Sequence, residues 1–289
     1  MELKLTGKNI IVTGGSQGLG KEIAKYCLIE GASVAICARN KSALDKVYDE
    51  LLAYKQHHET LSVFVADVSD QEEVNAFVEY AISRTQSLNV LINNAGIHGS
   101  KNTIDDSEFD LQGWIEAVRV NLFGTLNMCR AAIPYLKKNS FGKIINLSGG
   151  GATSPMPGMS AYAASKAALV RFTETIAMEL REFNIDVNAI APGAMNTRLL
   201  EDVLINGKGK VTADYYEKAL KQKESGGTPL SKAAELCVYL ASDESNGVTG
   251  KLISAVWDDW SHLHEHLTEL DSDVYTLRRI VPDDMGMYF

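Results

Sequence analysis

Seven short apolar runs punctuate the chain: NIIVTG, SVAICA, LSVFVAD, LNVLINNAG, KIINLS, IDVNAIAP and KLISAV. Each is rich in β-forming residues, and each predicts a strand. Between them lie segments that read as helices, among them KEIAKYCLIEGA, KSALDKVYDELLAYK and QEEVNAFVEYAISRT. Strands separated by helices need crossover connections, which give a parallel sheet with helices on both faces. Right-handed crossovers make a doubly wound sheet of about seven strands the simplest arrangement. The fold class is therefore α/β, and no repeat or low-complexity linker divides residues 1–256.

Two segments break the alternation. Residues 195–228 are polar and glycine-containing, and they follow a strand end, where open α/β sheets place their ligands. After Val256 comes an extension, 257–289, whose apolar residues run from Trp257 and Trp260 to Tyr288 and Phe289. So many apolar groups are costly to leave in water. The extension is expected to pack on the domain or on a partner subunit, closing the pocket or clasping the subunits.

Composition narrows the function by exclusion. With 28 Lys and Arg against 37 Asp and Glu, the net charge is −9. No long basic run is present, which argues against nucleic acid or an anionic membrane as partner. The start, MELKLTGKNIIVTGG, holds no apolar stretch long enough for a signal peptide or a membrane span, so a cytoplasmic protein is expected. Cys27, Cys37, Cys129 and Cys237 are widely spaced and read as reduced core thiols. The HLHEH string, with His262, His264 and His266, lacks a clear third ligand and reads as a solvated segment, so no metal is expected.

The candidate chemistry begins with TGGSQGLG, Thr13 to Gly20, which joins the first strand to the first helix. Glycines let a backbone turn sharply and approach a pyrophosphate, which the following helix N-terminus stabilises. That reading makes the fold a Rossmann-type dinucleotide site. About 20 residues on, an acid would bind the adenosine 2′-hydroxyl. Here Ala38, Arg39 and Asn40 stand instead. Arg39 can clamp a 2′-phosphate, or simply be a solvated arginine at a strand end; the reading favours NADP(H) over NAD(H).

In order along the chain stand Thr13-Gly14-x-x-x-Gly18-x-Gly20, Asp67 after the third strand, Asn93-Asn94-Ala95-Gly96 after the fourth, Asn121, Tyr162-x-x-x-Lys166, and Pro192-Gly193 with Thr197. On these motifs the chain resembles the short-chain dehydrogenase/reductase family over about Leu5 to Val256. The resemblance implies that Gly14, Ser16, Gln17, Gly18 and Leu19 cradle the phosphates, with Arg39 and Asn40 beside them. It implies that Asp67 and Val68 hold the adenine, and that Asn94, Ala95 and Gly96 line the ribose region. Pro192, Gly193 and Thr197 would surround the nicotinamide. A helix cap at Asp67 and a tight turn at NNAG are the plainer alternatives. The resemblance further implies a homodimer or homotetramer, paired through the helices around Asn121 and Tyr162.

Tyr162 and Lys166 share one helix face. A phenol titrates near ~10 when free, too high for acid–base work at neutral pH, and the adjacent Lys166 ammonium together with the positive nicotinamide of an oxidised cofactor would lower it. By the resemblance, Lys166 also bonds the nicotinamide ribose and Asn121 holds a water linking Lys166 to solvent. The family's assisting serine stands 13 residues before the tyrosine, but that position here is Gly149. Ser148 is one residue early, which on a regular strand turns a side chain to the other face. Ser148 is the first candidate for its role, with Thr153, Ser154 and Ser160 as substitutes, and a peptide N–H of the Gly149–Gly151 run as a further donor to a carbonyl. His98, after NNAG, lies nearer the expected cleft and is left without a role.

The function expected is hydride transfer between NADP(H) and a small-molecule carbonyl or secondary alcohol, with Tyr162 as the acid–base group. Two rivals remain: an NAD(H)-using sugar-nucleotide epimerase or dehydratase, and a cofactor-binding regulatory protein without turnover.

Overall fold

The computed structural model describes residues 3–56, 59–139 and 141–287. Among them seven strands form one parallel sheet: β1 (Asn9–Thr13), β2 (Ser33–Ala38), β3 (Leu61–Val65), β4 (Val90–Asn93), β5 (Gly142–Leu147), β6 (Ile185–Ala191) and β7 (Leu252–Ser254). Their order is β3-β2-β1-β4-β5-β6-β7. Every residue of the central strands β4 and β5 is buried, which is why these runs read as continuously apolar rather than alternating. Each of the seven apolar runs contains one strand.

Helices cover both faces. On one face α1 (Gly18–Ile29) and α9 (Leu230–Ala241) pack on Val12, Ile92, Ile145 and Ile190. On the other, α3 (Gln71–Thr85), α5 (Gly124–Lys138) and α6 (Ser160–Leu180) pack on Ile11, Leu91, Ile144 and Val187. The remaining helices are α2 (Lys41–Leu52), α4 (Leu111–Val118), α7 (Arg198–Asn206), α8 (Ala213–Ser225) and a single turn, α10 (Leu267–Leu270).

The chain winds outward from β1 to β3, then returns to the other side of β1 for β4 to β7. The carboxyl ends of β1 and β4 therefore diverge at a topological switch point, where ligands bind in open α/β sheets. Thr13 ties the two ends together: its hydroxyl accepts the N–H groups of Asn94 and Ala95, each at 3.0 Å.

Residues 257–287 lie against the same domain. Leu252 N–H donates to Tyr275 O at 2.7 Å, so the extension covers the free edge of β7. Lys251 Nζ holds the carbonyls of Ser272 and Val274, and buried Glu174 on α6 accepts the Leu277 N–H at 2.7 Å. Trp260 packs on Tyr239 with ring centroids 5.5 Å apart, and Leu263 and Leu270 are buried. Trp257, Ile280, Met285 and Met287 remain exposed. Tyr288 and Phe289 lie outside the described residues. No described helix is long and apolar enough to cross a membrane.

Candidate active site

A cleft of about 1740 Å³ opens along the carboxyl ends of β1, β4, β5 and β6. All the residues assigned from the sequence to the cofactor line it, as does Ser148; Asn121 lies buried behind its wall.

The phosphate end is the turn from β1 into α1. Gly14 has φ +66°, and a β-carbon there would lie 2.9 Å from Ala95 Cα, so only glycine fits. Gln17 precedes α1 without a side-chain cap, which leaves the first-turn N–H groups of Gly18 and Leu19 open to an anion in the cleft. At the end of β2, Arg39 is 61% exposed and its Nη1 stands 3.6 Å from Asp67 Oδ2. Such an exposed contact is weak and leaves the guanidinium able to turn to a phosphate. Asn40 caps α2 through Ala43 N–H at 2.9 Å. Asp67 also accepts the N–H and hydroxyl of Ser69, and Asn127 holds the Val68 carbonyl at 3.1 Å.

Pro192 and Gly193 follow β6, and Thr197 opens α7. This loop is pinned by Thr228 N–H to Ala194 O at 2.7 Å and by an isolated bridge between Met195 and Gly227. α7, α8 and the segment between them pack on Met159 through Leu200, Val203, Val211 and Ala219, forming a small separate core. The region 195–228 is thus largely helical, where the sequence showed only a polar, glycine-containing stretch.

Tyr162 and Lys166 lie one turn apart on α6. Lys166 is buried and donates to Leu147 O at 2.6 Å; burial alone pushes its pKa down to about 8. Its ammonium stands 5.8 Å from the centroid of the Tyr162 ring. In the protein alone burial pushes Tyr162 up, and nearby Tyr215 adds to it; the expected lowering also needs the charge of an oxidised nicotinamide. Tyr162 is half-buried and lines the cleft.

Asn121 sits in a π-helical turn, Arg119–Phe123, between α4 and α5. Such turns displace a residue from the regular ladder and recur at functional sites. Its carboxamide accepts Ile97 N–H and donates to Ile97 O and Ser165 Oγ, each at 2.9 Å. Gly96 separates it from Lys166: a β-carbon there would lie 3.1 Å from Asn121 Oδ1 and 3.6 Å from Lys166 Nζ.

At the former serine position, a β-carbon on Gly149 would fall 2.2 Å from Tyr162 Oη. It is position 149 that faces the tyrosine hydroxyl. Ser148 Oγ is buried and makes no hydrogen bond among the described residues. Of the proposed substitutes, Thr153 and Ser154 line the cleft, whereas Ser160 Oγ accepts Trp114 Nε1 at 3.1 Å.

The outer wall holds residues the sequence did not assign. His98 packs edge-on against Tyr162, with centroids 4.9 Å apart. Asp202 on α7 pairs with Lys101 at 2.6 Å and accepts from Asn206 at 2.9 Å. Trp257 and Asp258, the first residues of the extension, also line the cleft. Nothing in local spacing joins residues 98, 101 and 202; only the position of His98 just after NNAG hinted at its place. The HLHEH histidines are remote from Tyr162: His262 pairs with Glu265 at 3.0 Å, and His264 lies beside Tyr239.

Residues 8–206 match the family model for short chain dehydrogenases. The 3-oxoacyl-(acyl-carrier-protein) reductase FabG of Thermotoga maritima is 33% identical over 253 residues, 87% of this chain and 97% of that protein. Among solved structures, a 7α-hydroxysteroid dehydrogenase complexed with NADH and 7-oxo glycochenodeoxycholic acid superposes with a TM-score of 0.76 at 29% identity, covering 88% and 94% of the two chains. A gluconate 5-dehydrogenase from Burkholderia cenocepacia, in complex with NADP and tartrate, superposes with a TM-score of 0.75 at 25% identity, covering 88% and 95%. With its doubly wound sheet, glycine turn and Tyr-x-x-x-Lys helix, the chain belongs to the short-chain dehydrogenase/reductase family of nicotinamide-dependent oxidoreductases.

Proposed function

We propose that the protein is an NADP(H)-dependent oxidoreductase acting on a small-molecule carbonyl or secondary alcohol, with Tyr162 as its acid–base group. The observation that carries this is the joining, in one cleft, of the Gly14–Leu19 cradle and the Tyr162–Lys166 pair. The cradle fits a dinucleotide: Gly14 leaves no room for a side chain, and the α1 N-terminus faces the cleft uncapped. When bound, the nicotinamide supplies or takes the hydride. Tyr162 then gives a proton to the carbonyl oxygen or takes one from the alcohol. Lys166, held by Leu147 O, keeps a positive charge one helical turn from that proton. Asn121 fixes the backbone of Ile97 beside Gly96 and so keeps the wall next to Lys166 in place.

Preference for NADP(H) rests on Arg39, exposed at the end of β2 directly after the uncharged Ala38. A guanidinium there matches a 2′-phosphate; the solved relatives include both NADH and NADP complexes. Exposed Leu111, Ile115 and Phe123 on α4 and the π-turn offer an apolar face for pairing two copies. The sugar-nucleotide and regulatory readings have less support, since the family relation and the complete Tyr162–Lys166–Asn121 set favour reduction and oxidation. Following NADPH and NADH oxidation against ketones and aldehydes tests the proposal. Turnover with NADPH is expected, and cofactor binding without turnover of any carbonyl would contradict it.

A further inference from the structure

The oxygen on the reacting carbon has two lone pairs, and one hydrogen bond to Tyr162 leaves it free to swing. Holding the carbon in line for hydride transfer calls for a second polar group. On the β5 side nothing is supplied by position 149, where a β-carbon would already strike the Tyr162 hydroxyl at 2.2 Å. His98 stands against Tyr162 and lines the same cleft. Its ring meets the Tyr162 ring at 90°, 4.9 Å between centroids, and the residue is only 7% exposed. Nδ1 makes no hydrogen bond to any described residue. Asp202 Oδ2 is 3.9 Å away, beyond reach, and already holds Lys101, while Oδ1 accepts from Asn206. A buried polar atom without a partner is costly to keep, and this ring lines the cleft in which the substrate must sit.

Resting on the oxidoreductase reading above, we propose that His98 is a catalytic residue that hydrogen-bonds the substrate's reacting oxygen beside Tyr162. A neutral imidazole carries one donor and one acceptor. It can therefore donate to a carbonyl oxygen and, in the other tautomer, accept from an alcohol, as a hydroxyl would. Burial, reinforced by the Lys101 charge, holds its pKa down to about 4, so the ring is neutral at physiological pH. Ser148, which also lines the cleft with a buried hydroxyl that lacks a partner, precedes by one residue the position whose side chain would meet Tyr162.

The test uses the full chain with NADPH and three probes, 2,3-butanedione, cyclohexanone and benzaldehyde, in His98→Ala, His98→Phe, His98→Gln, Ser148→Ala and Tyr162→Phe. His98→Ala and His98→Phe should lower kcat/KM about 10²-fold, with NADPH Kd, read by cofactor fluorescence, unchanged. His98→Gln, which retains a donor and an acceptor, should recover about tenfold of the loss, and Ser148→Ala should stay within about threefold of wild type. If His98→Phe keeps wild-type turnover while Tyr162→Phe is inactive, His98 is packing and the proposal falls alone. If the loss appears instead in Ser148→Ala, that serine is the second group and His98 is not. Loss of NADPH binding in the His98 variants would show a structural role and overturn the proposal. Wild-type protein that binds NADPH but turns over no probe overturns the oxidoreductase reading, and this inference with it.

Discussion

Gly149 and Tyr162 are in such close register that a β-carbon on the one would lie 2.2 Å from the hydroxyl oxygen of the other. The phenol of Tyr162 therefore occupies space that a side chain at 149 would need. Gly149→Ser is expected to push the ring aside and lower kcat at least about tenfold, because small displacements of a reacting group are expensive. NADPH affinity should hold. A serine variant as active as wild type would show that Tyr162 yields freely and that the close register has no consequence.

Lys166 makes stability depend on pH. Its folded pKa of about 8 lies below the ordinary lysine value of 10.5. Between those values the unfolded chain holds the proton and the folded chain does not, so stability rises with pH across that window. At neutral pH the buried charge costs about 3 kcal/mol by this linkage. Compared with Lys166→Met, which does not titrate, the wild-type protein without cofactor should gain stability from pH 7 to pH 10. Urea unfolding of both proteins at the two pH values checks the sign; a constant difference would mean that the ammonium is not penalised by burial.

Arg39 should set cofactor choice. Its contact with Asp67 is long, at 3.6 Å, and exposed, so turning to a 2′-phosphate forfeits little. Arg39→Ala is expected to weaken NADPH binding about tenfold or more and leave NADH within about twofold, the scale of one charge-assisted contact. Equal NADPH and NADH affinities in wild type would make Arg39 a surface residue only.

The extension should contribute to stability. Deleting residues 261–289 removes Tyr275 from the β7 edge, strips His264 from Tyr239, and takes the Leu277 N–H from buried Glu174. A fall in Tm of more than about 5 °C is expected, since each 1 kcal/mol shifts a domain of this size by roughly 2–4 °C. Trp257 and Asp258 stay in the shortened chain, so NADPH binding should survive. An unchanged Tm would show that the extension merely rests on the surface.

The sheet was legible because buried parallel strands are uniformly apolar and short, and the helices between them are long enough to count. The cofactor end was legible for a related reason: turns such as Gly14 to Gly20 are local, and local geometry leaves a mark on neighbouring residues. Tyr162 and Lys166 could be paired from helical spacing alone. The packing of His98 against Tyr162 could not. His98, Lys101 and Asp202 meet only because β4 and α7 end at the same cleft, and sequence distance erases that. The state of the phenol was likewise hidden: an i,i+4 lysine predicts a lowered pKa, but the three-dimensional enclosure of Tyr162 reverses the sign in the protein alone. Region 195–228 misled in another way, since α7 and α8 are polar on their outer faces and bury only a few residues on Met159.

The central claim is that Tyr162 moves the proton while the chain around it binds cofactor and substrate. The most direct measurement is single-turnover NADPH oxidation by Tyr162→Phe, beside a fluorescence titration of NADPH binding to the same protein. The account predicts hydride transfer reduced by at least about 10³-fold, with NADPH Kd within about twofold of wild type. Turnover near the wild-type rate would contradict it.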